Sequence, residues 1–395
     1  MDDFGVIRMK KKNNEMEPAV RRRKKGANEK NIPLGVKIVF FVTAFLIVLA
    51  LFALIFFSVM RWSGKNKLYA RGTDAPDIGN VEQTTERQEP REETEEPEST
   101  QESGNAYVYQ EGDVNYNGHM YRYNKDMLTF LILGIDSNDP VPEVDENTNY
   151  LMGGQSDAIF LFAMNPHDKT LSVIAVNRNT MTDIDMYDEN NNYVRTAKAQ
   201  LCVQHGYGDG GVLSCERARE KVSELLYNLP IHGYVSMRLG AIWVLNEAVG
   251  GVEVTLPFDV PEINQGAGAT VRLYGQDAFY FLKYRSLDEF DSASERLEKD
   301  KIYLKAFMNQ VFESTKSDIS YPIKLYDMVS QYIVTDISVD EMSYLASELL
   351  GYDVNGVRMY SIPGETVMGS KFEEFYVNEV QLKELLLNVF YEMVN

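Results

Sequence analysis

Residues 128–135 read LTFLILGI, residues 157–165 read DAIFLFAMN and residues 171–176 read LSVIAV. These runs are almost continuously apolar and rich in β-branched and aromatic side chains. A strand covered on one face alternates with polar residues, so unbroken runs predict strands covered on both faces. The PHDK stretch at 166–169 is a turn, which predicts a hairpin between the second and third runs. Outward from this centre, helical and strand-like stretches alternate. Helices are predicted over 196–205, over 215–229 with Ser214 as N-cap, and over 239–249, 275–282, 294–314, 339–350 and 377–393. Further strands are predicted at 233–237, 252–256 and 357–361. This interleaving implies an α/β fold, a layered α/β/α sandwich on a mixed central sheet. Residues 126–317 form the main domain, and 318–395 a helical extension packed on it.

Towards the N-terminus the composition changes twice. Residues 38–60 read IVFFVTAFLIVLALFALIFFSVM without a charge. As a helix they span roughly 34 Å, enough for a hydrocarbon core of about 30 Å. The run is too long and lacks the small-residue cleavage site expected of a signal peptide. Residues 1–37 hold eleven Lys or Arg against five acids, which places that tail in the cytoplasm and the main domain outside the cell membrane. Residues 61–125 include VEQTTERQEPREETEEPESTQESGN, which has too little apolar surface to fold and is expected to be a disordered acidic linker. The formal net charge is −20, carried by the part outside the membrane. An acidic exterior argues against nucleic acid as a partner.

Cys202 and Cys215 are the two cysteines, and each reading stays open: one disulfide, or two buried thiols. No GxSxG, HExxH or P-loop is present, and His119, His167, His205 and His232 lack metal-ligand spacing. The glycine-rich GYGDGG at 206–211 reads either as a phosphate cradle or as a helix stop. Charges at the ends of apolar runs stand out more. Asp136 follows LILGI, Asp157 opens DAIFLF, Arg178 closes LSVIAVNR and Arg285 follows YFLKY. Arg296 and Lys299 are three apart and share a helical face. Carboxylates hold Mg²⁺ and guanidinium groups clamp phosphate oxygens, so the set suits a diphosphate. Ordinary ion pairing at a sheet edge is the competing account of each residue alone.

The ordered series LGID (133–136), QSD (155–157), VNRNT (176–180), NEAVGGVEV (246–254), LYGQDAFYFLKYRS (273–286) and SERLEKDK (294–301) resembles the LytR-CpsA-Psr domain. The resemblance implies a membrane-anchored transferase that moves a glycopolymer from a polyprenyl-diphosphate carrier to peptidoglycan. It implies Mg²⁺ on Asp136 and Asp157, and pyrophosphate contacts from Arg178, Arg285 and Arg296, with Lys283 and Lys299 at further cation positions. Arg178, Arg285 and Asp157 would be catalytic, with Asp157 or Asp291 as base. The chain departs from the family pattern at Gln155, Asn179, Lys283, Ala293 and Lys299-Asp300, where Arg, Asp, Arg, an acid and Arg-Gln are usual. These replacements leave a second reading, a non-catalytic module that binds lipid-linked or wall polymers, and a third, an extracytoplasmic regulator.

Overall fold

A computed structural model describes residues 34–79, 109–283, 290–353 and 356–394. The chain divides into two units, residues 1–54 and 55–395. Helix α1 (Leu34–Tyr69) begins in the first. Among the described residues no helix is long and apolar enough to cross a membrane. The expected span at 38–60 lies partly outside the residues whose side chains are described, which exclude 34–42, 44, 45 and 48.

The second unit runs β1 (Val114–Tyr116), β2 (His119–Tyr123), β3 (Leu128–Ile135), β4 (Ser156–Asn165), β5 (Thr170–Val176), β6 (Met181–Tyr187), β7 (Tyr193–Gln200), α2 (Val212–Leu225), β8 (Gly233–Arg238) and α3 (Gly240–Ala248). It continues with β9 (Val252–Thr255), β10 (Thr270–Leu273), α4 (Gly275–Lys283), α5 (Ser292–Ser317), α6 (Tyr321–Val329), β11 (Ile333–Thr335) and α7 (Val339–Leu349). It ends with β12 (Arg358–Ser361), β13 (Gly364–Met368), β14 (Glu373–Val377), α8 (Glu379–Phe390) and β15 (Tyr391–Val394). Six strands form the central sheet in the order β11-β8-β3-β4-β5-β12. β3 and β8 are parallel, as are β5 and β12, whereas β4 runs against both neighbours. The sheet is therefore mixed, and the predicted hairpin at 166–169 joins β4 to β5.

Alternation on the strands sorts two cores. Leu131, Leu133, Ile135, Ile159, Leu161 and Ile174 point to one face, where α2 (Ala218, Val222) and α8 (Leu382, Leu386, Phe390) cover them. Leu128, Phe130, Phe160, Met164 and Val173 point to the other, against α5 (Leu297, Met308, Phe312) and Tyr344 of α7. Helices on both faces account for the unbroken apolar runs. A third cluster of Val252, Val254, Leu273, Phe281 and Tyr303 joins the β9–β10 hairpin to α4 and α5.

Three expectations are corrected here. Residues 196–205 are not a helix: β7 pairs with β6 along its length, and Leu201–Val203 make one 3₁₀ turn. Good helix formers (Ala197, Lys198, Ala199, Gln200) yield to tertiary pairing. The C-terminal stretch is not helical alone: beside α6, α7 and α8 it supplies β12, near the predicted strand, which completes the central sheet, and β15, which pairs with β2. Residues 61–79 and 109–125, expected in a disordered linker, are packed, while 80–108 lie outside the described residues. Leu68 and Ile78 are fully buried, one in each core. Arg71 reaches the His232 carbonyl at 2.6 Å, Asp336 at 3.0 Å and the wholly buried Glu341 at 2.9 Å. Lys67 pairs with Asp340 at 2.8 Å, and Arg61 with Glu348 at 2.6 Å. A Cβ on Gly64 would lie 2.2 Å from the Asp340 carbonyl, so only glycine allows this approach. The acid-rich composition further along masked these few apolar anchors.

Candidate active site

β3, β5 and β8 all end on one edge of the sheet, the edge where α/β folds usually bind ligands. Asp136 follows β3, Arg178 follows β5 and Arg238 closes β8. β4 runs the other way, so Asp157 near its start reaches the same edge. The local register explains how Asp157 is presented. Gly134 pairs with Ala158 and Ile135 with Ser156, which leaves Asp157 as the extra residue of a β-bulge. Bulges re-aim a side chain out of the regular pleat.

Asp157 sits between two arginines. Arg296 Nη1 donates to its Oδ2 at 2.9 Å, and Arg296 Nη2 donates to its carbonyl at 3.1 Å. Arg178 Nη1 lies 3.2 Å from Oδ1. Arg178 Nη2 also donates to Gln155 Oε1, and to Cys202 Sγ at 3.0 Å. Burial lowers the Arg178 pKa, but the Cys202 sulfur and the Asp157 and Asp136 carboxylates outweigh it and the pKa is raised. Burial pushes the Cys202 thiol up, against the opposing pull of Arg178. Asp136 Oδ1 accepts the Gln155 N–H at 2.8 Å, and the Asp136 N–H donates to the Gln155 carbonyl at 3.1 Å. Gly154, at φ +80°, makes this turn; a Cβ there would meet Ile135 Cγ2 at 2.9 Å. Asp136, Asp157, Arg178 and Arg296 therefore converge.

Of the remaining predicted cations, Lys299 and Lys283 are among the described residues. Lys299 is 1% exposed and lies over the Phe258 and Phe281 rings, 5.2 and 5.9 Å from their centroids. Lys283 is exposed and lies over Phe279. Arg285 lies outside the described residues. Asp291, an expected alternative base, is committed to structure. Its Oδ1 accepts hydroxyls from Ser294 and Thr366 at 2.6 Å each, and its N–H donates to Glu373. It also holds a left-handed φ of 62° at the start of α5, which these partners enforce. The Gly210 and Gly211 amides of GYGDGG are also taken. Ser214 Oγ accepts Gly210 N–H, and Asp209 accepts the amides of Gly211, Leu213 and Ser214. Asp209 thus caps α2 from outside the helix, and Ser214 is not the N-cap. Cys202 and Cys215 are separate free thiols, one on Arg178 and the other 3.8 Å from His205 Nε2.

Two residues of the site had not been singled out. Arg238 is buried, reaches Ser137 Oγ at 2.8 Å, and has its pKa lowered by burial. Like Arg178 it closes an apolar strand, and that signal was available in GYVSMR. Asp300 lies one helical turn beyond Arg296 on α5. Burial pushes its pKa up to about 7, with Arg296 and Lys299 opposing and Asp157 adding to the rise. The folded state then keeps a proton that the unfolded chain loses near pH 4. Between these values stability falls as pH rises, by up to about 1.4 kcal/mol per unit. Asp300→Asn should remove that slope, gaining on the parent from pH 4 to 7 in urea unfolding. Parallel pH curves for the two proteins would contradict the assignment.

The two acids suit a hard cation. Among the described residues Asp157 Oδ1 is buried and accepts no hydrogen bond, although Arg178 Nη1 lies 3.2 Å away. Among the described residues Asp136 accepts a hydrogen bond on Oδ1 alone. No group of three or more His, Cys, Asp or Glu that could hold a metal occurs among the described residues. Mg²⁺ does not require one, because it takes one or two carboxylates and completes its shell with water and substrate phosphate.

The chain is similar to several known proteins. The polyisoprenyl-teichoic acid–peptidoglycan teichoic acid transferase TagU of Enterococcus faecalis is 27% identical over 225 residues, which is 56% of this chain and 66% of its own length. The protein of the same name from Oceanobacillus iheyensis is 24% identical over 252 residues, covering 62% of this chain and 70% of that protein. Among solved structures, Bacillus subtilis TagV superimposes with a TM-score of 0.51 at 19% identity, covering 67% of this chain and 97% of TagV. TagT bound to LI-WTA gives a TM-score of 0.50 at 20% identity, covering 67% of this chain and 91% of TagT. These likenesses establish the shared fold. The family model described as the LytR_cpsA_psr family matches residues 79–389, most of the chain, and the chain belongs to that family.

Proposed function

We propose that this chain is a membrane-anchored transferase that moves a glycopolymer from a polyprenyl-diphosphate carrier to peptidoglycan outside the cell. Residues 38–60 would cross the membrane with the basic tail in the cytoplasm. The observation that carries the reading is the convergence of Asp136 and Asp157 with Arg178 and Arg296 at the carboxyl edge of the sheet. The names of the relatives support the same chemistry.

In this reading Arg178 and Arg296 hold the diphosphate through guanidinium N–H groups, and Arg238 adds positive potential at the same edge. Mg²⁺, held by Asp136 and Asp157, would neutralise charge on the phosphate oxygens. The acceptor hydroxyl oxygen bonds to the glycan-side phosphorus as the bridging P–O bond breaks. Polyprenyl phosphate leaves with that electron pair. The hydroxyl proton passes to Asp157, since Asp291 is engaged at the start of α5.

Full chain in vesicles, given Mg²⁺, a polyprenyl-diphosphate sugar and a peptidoglycan acceptor, should release polyprenyl phosphate. Mg²⁺ with a short prenyl diphosphate at a hundred times its Kd should stabilise the fold by about 2.7 kcal/mol. Absence of both effects would sink the proposal. Stabilisation without release would favour a non-catalytic, polymer-binding member.

A further inference from the structure

The two arginines of the site come from distant elements, Arg178 from the end of β5 and Arg296 from the second turn of α5. Both meet the one carboxylate of Asp157. A single carboxylate offsets one of the two positive charges, and the guanidinium groups still repel each other. In the diphosphate reading Asp157 also turns to the metal or takes a proton, and it then ceases to hold them. Keeping both cations in range of one ligand therefore needs a framework that does not use Asp157.

The β13–β14 hairpin supplies it. On the Arg178 side, the Phe375 N–H donates to the Asn179 carbonyl at 2.9 Å. Gln200 Nε2, at the end of β7, donates to Asn179 Oδ1 at 3.1 Å and to the Glu373 carbonyl at 2.7 Å. On the Arg296 side, Glu373 Oε1 accepts the Asp291 N–H at 2.8 Å, and Thr366 Oγ1 donates to Asp291 Oδ1 at 2.6 Å. Asp291 is the residue before α5. Glu373 thus engages both sides at once, one through its carbonyl and the other through its carboxylate. The hairpin is rooted rather than loose: Phe375 is buried in the core that α8 covers, and it pairs with Thr180.

One direct tie, Asn177 Nδ2 to Ser294 Oγ at 3.0 Å, joins the same two elements. A single hydrogen bond is a pivot; the hairpin adds a second point and so fixes an orientation. Helix capping is the ordinary account of Glu373, since a carboxylate at a helix amino end satisfies an orphan N–H. Capping leaves the other side unexplained, where Gln200 carries the contact on to the residue next to Arg178.

We infer that Glu373 is a positioning residue: through the β13–β14 hairpin it sets the start of α5, and with it Arg296, at the distance from Arg178 that a diphosphate spans. The inference rests on the diphosphate reading proposed for this chain.

The test measures binding of inorganic pyrophosphate with Mg²⁺ by calorimetry, together with release of polyprenyl phosphate, on the full chain in vesicles. Glu373→Ala should weaken pyrophosphate binding about tenfold and lower kcat by at least as much, a misplacement of about 1 Å being worth up to about 10²-fold. Glu373→Gln keeps an acceptor oxygen for the Asp291 N–H and should stay within about twofold of the parent. In an Arg296→Ala background Glu373→Ala should change binding by less than about twofold, because a positioning residue acts only through the group it positions. An undiminished effect in that background overturns the inference, as does parent-like binding by Glu373→Ala. Should Glu373→Ala not fold, Gln200→Ala cuts the other end of the tie and is read in the same way. The expected binding pattern without release of polyprenyl phosphate keeps the inference and removes the transferase reading. A parent chain that binds no pyrophosphate overturns both.

Discussion

Arg178→Ala is expected to lower turnover by about 10²–10³-fold, the effect of deleting one donor that faces developing charge. Its contacts tie the site together. The Arg178 guanidinium meets Gln155, Cys202 and Asp157 together, and its Nε is buried without a partner. The loss should fall on kcat as well as on kcat/KM, because the charge it meets grows in the transition state. Arg178→Lys keeps the charge but not the fork, so it should restore only part of the rate. The fold should survive both changes, since Asp157 keeps Arg296. Steady-state kinetics beside circular dichroism would check this, and a folded Arg178→Ala protein with the parent's kcat would refute the role.

Arg71→Ala should cost about 3–5 kcal/mol of stability, the range for breaking one side of a buried pair. Its partner Glu341 has a wholly buried side chain and cannot regain water without local unfolding. Ser338 would still donate to Glu341, which places the effect towards the lower end. Arg61→Ala provides the contrast. Arg61 is half exposed, and pairs of that kind are worth about 0–1 kcal/mol. Urea unfolding of the two variants would compare them directly. Equal, small losses would mean that residues 61–71 contribute little to the domain, as a linker would.

The centre of the fold was legible because burial on both faces leaves a signal no other element gives. β3, β4, β5 and their hairpin stand where the apolar runs put them. The site was legible in part for a related reason: a charge that ends an apolar strand must be paired or used. Asp136, Asp157 and Arg178 stood out this way, and Arg296 through the helical face it shares with Lys299. The same rule extends to Arg238, which was passed over. Lys299 shows where spacing misleads. It shares a helical face with Arg296, yet that face is wide enough for one side chain to reach Asp157 and the other to settle between two phenylalanines. Asp300 carried no local signal, since its character comes from burial beneath residues distant in sequence. The β6–β7 hairpin was misread because strand pairing is non-local, whereas Ala, Lys and Gln favour helix locally. The packed residues at 61–79 were lost in an average taken over their acidic neighbours.

The bulge on β4 separates folding from chemistry. Asp157 is surplus to the ladder: Ala158 already faces Gly134, and Ser156 already faces Ile135. A chain missing that single codon would zip into an unbroken pair with every other partner unchanged. The ladder would survive loss of the acid, but Arg178 and Arg296 would lose the carboxylate they share, so the cost of the deletion would fall on the charge cluster and not on the sheet.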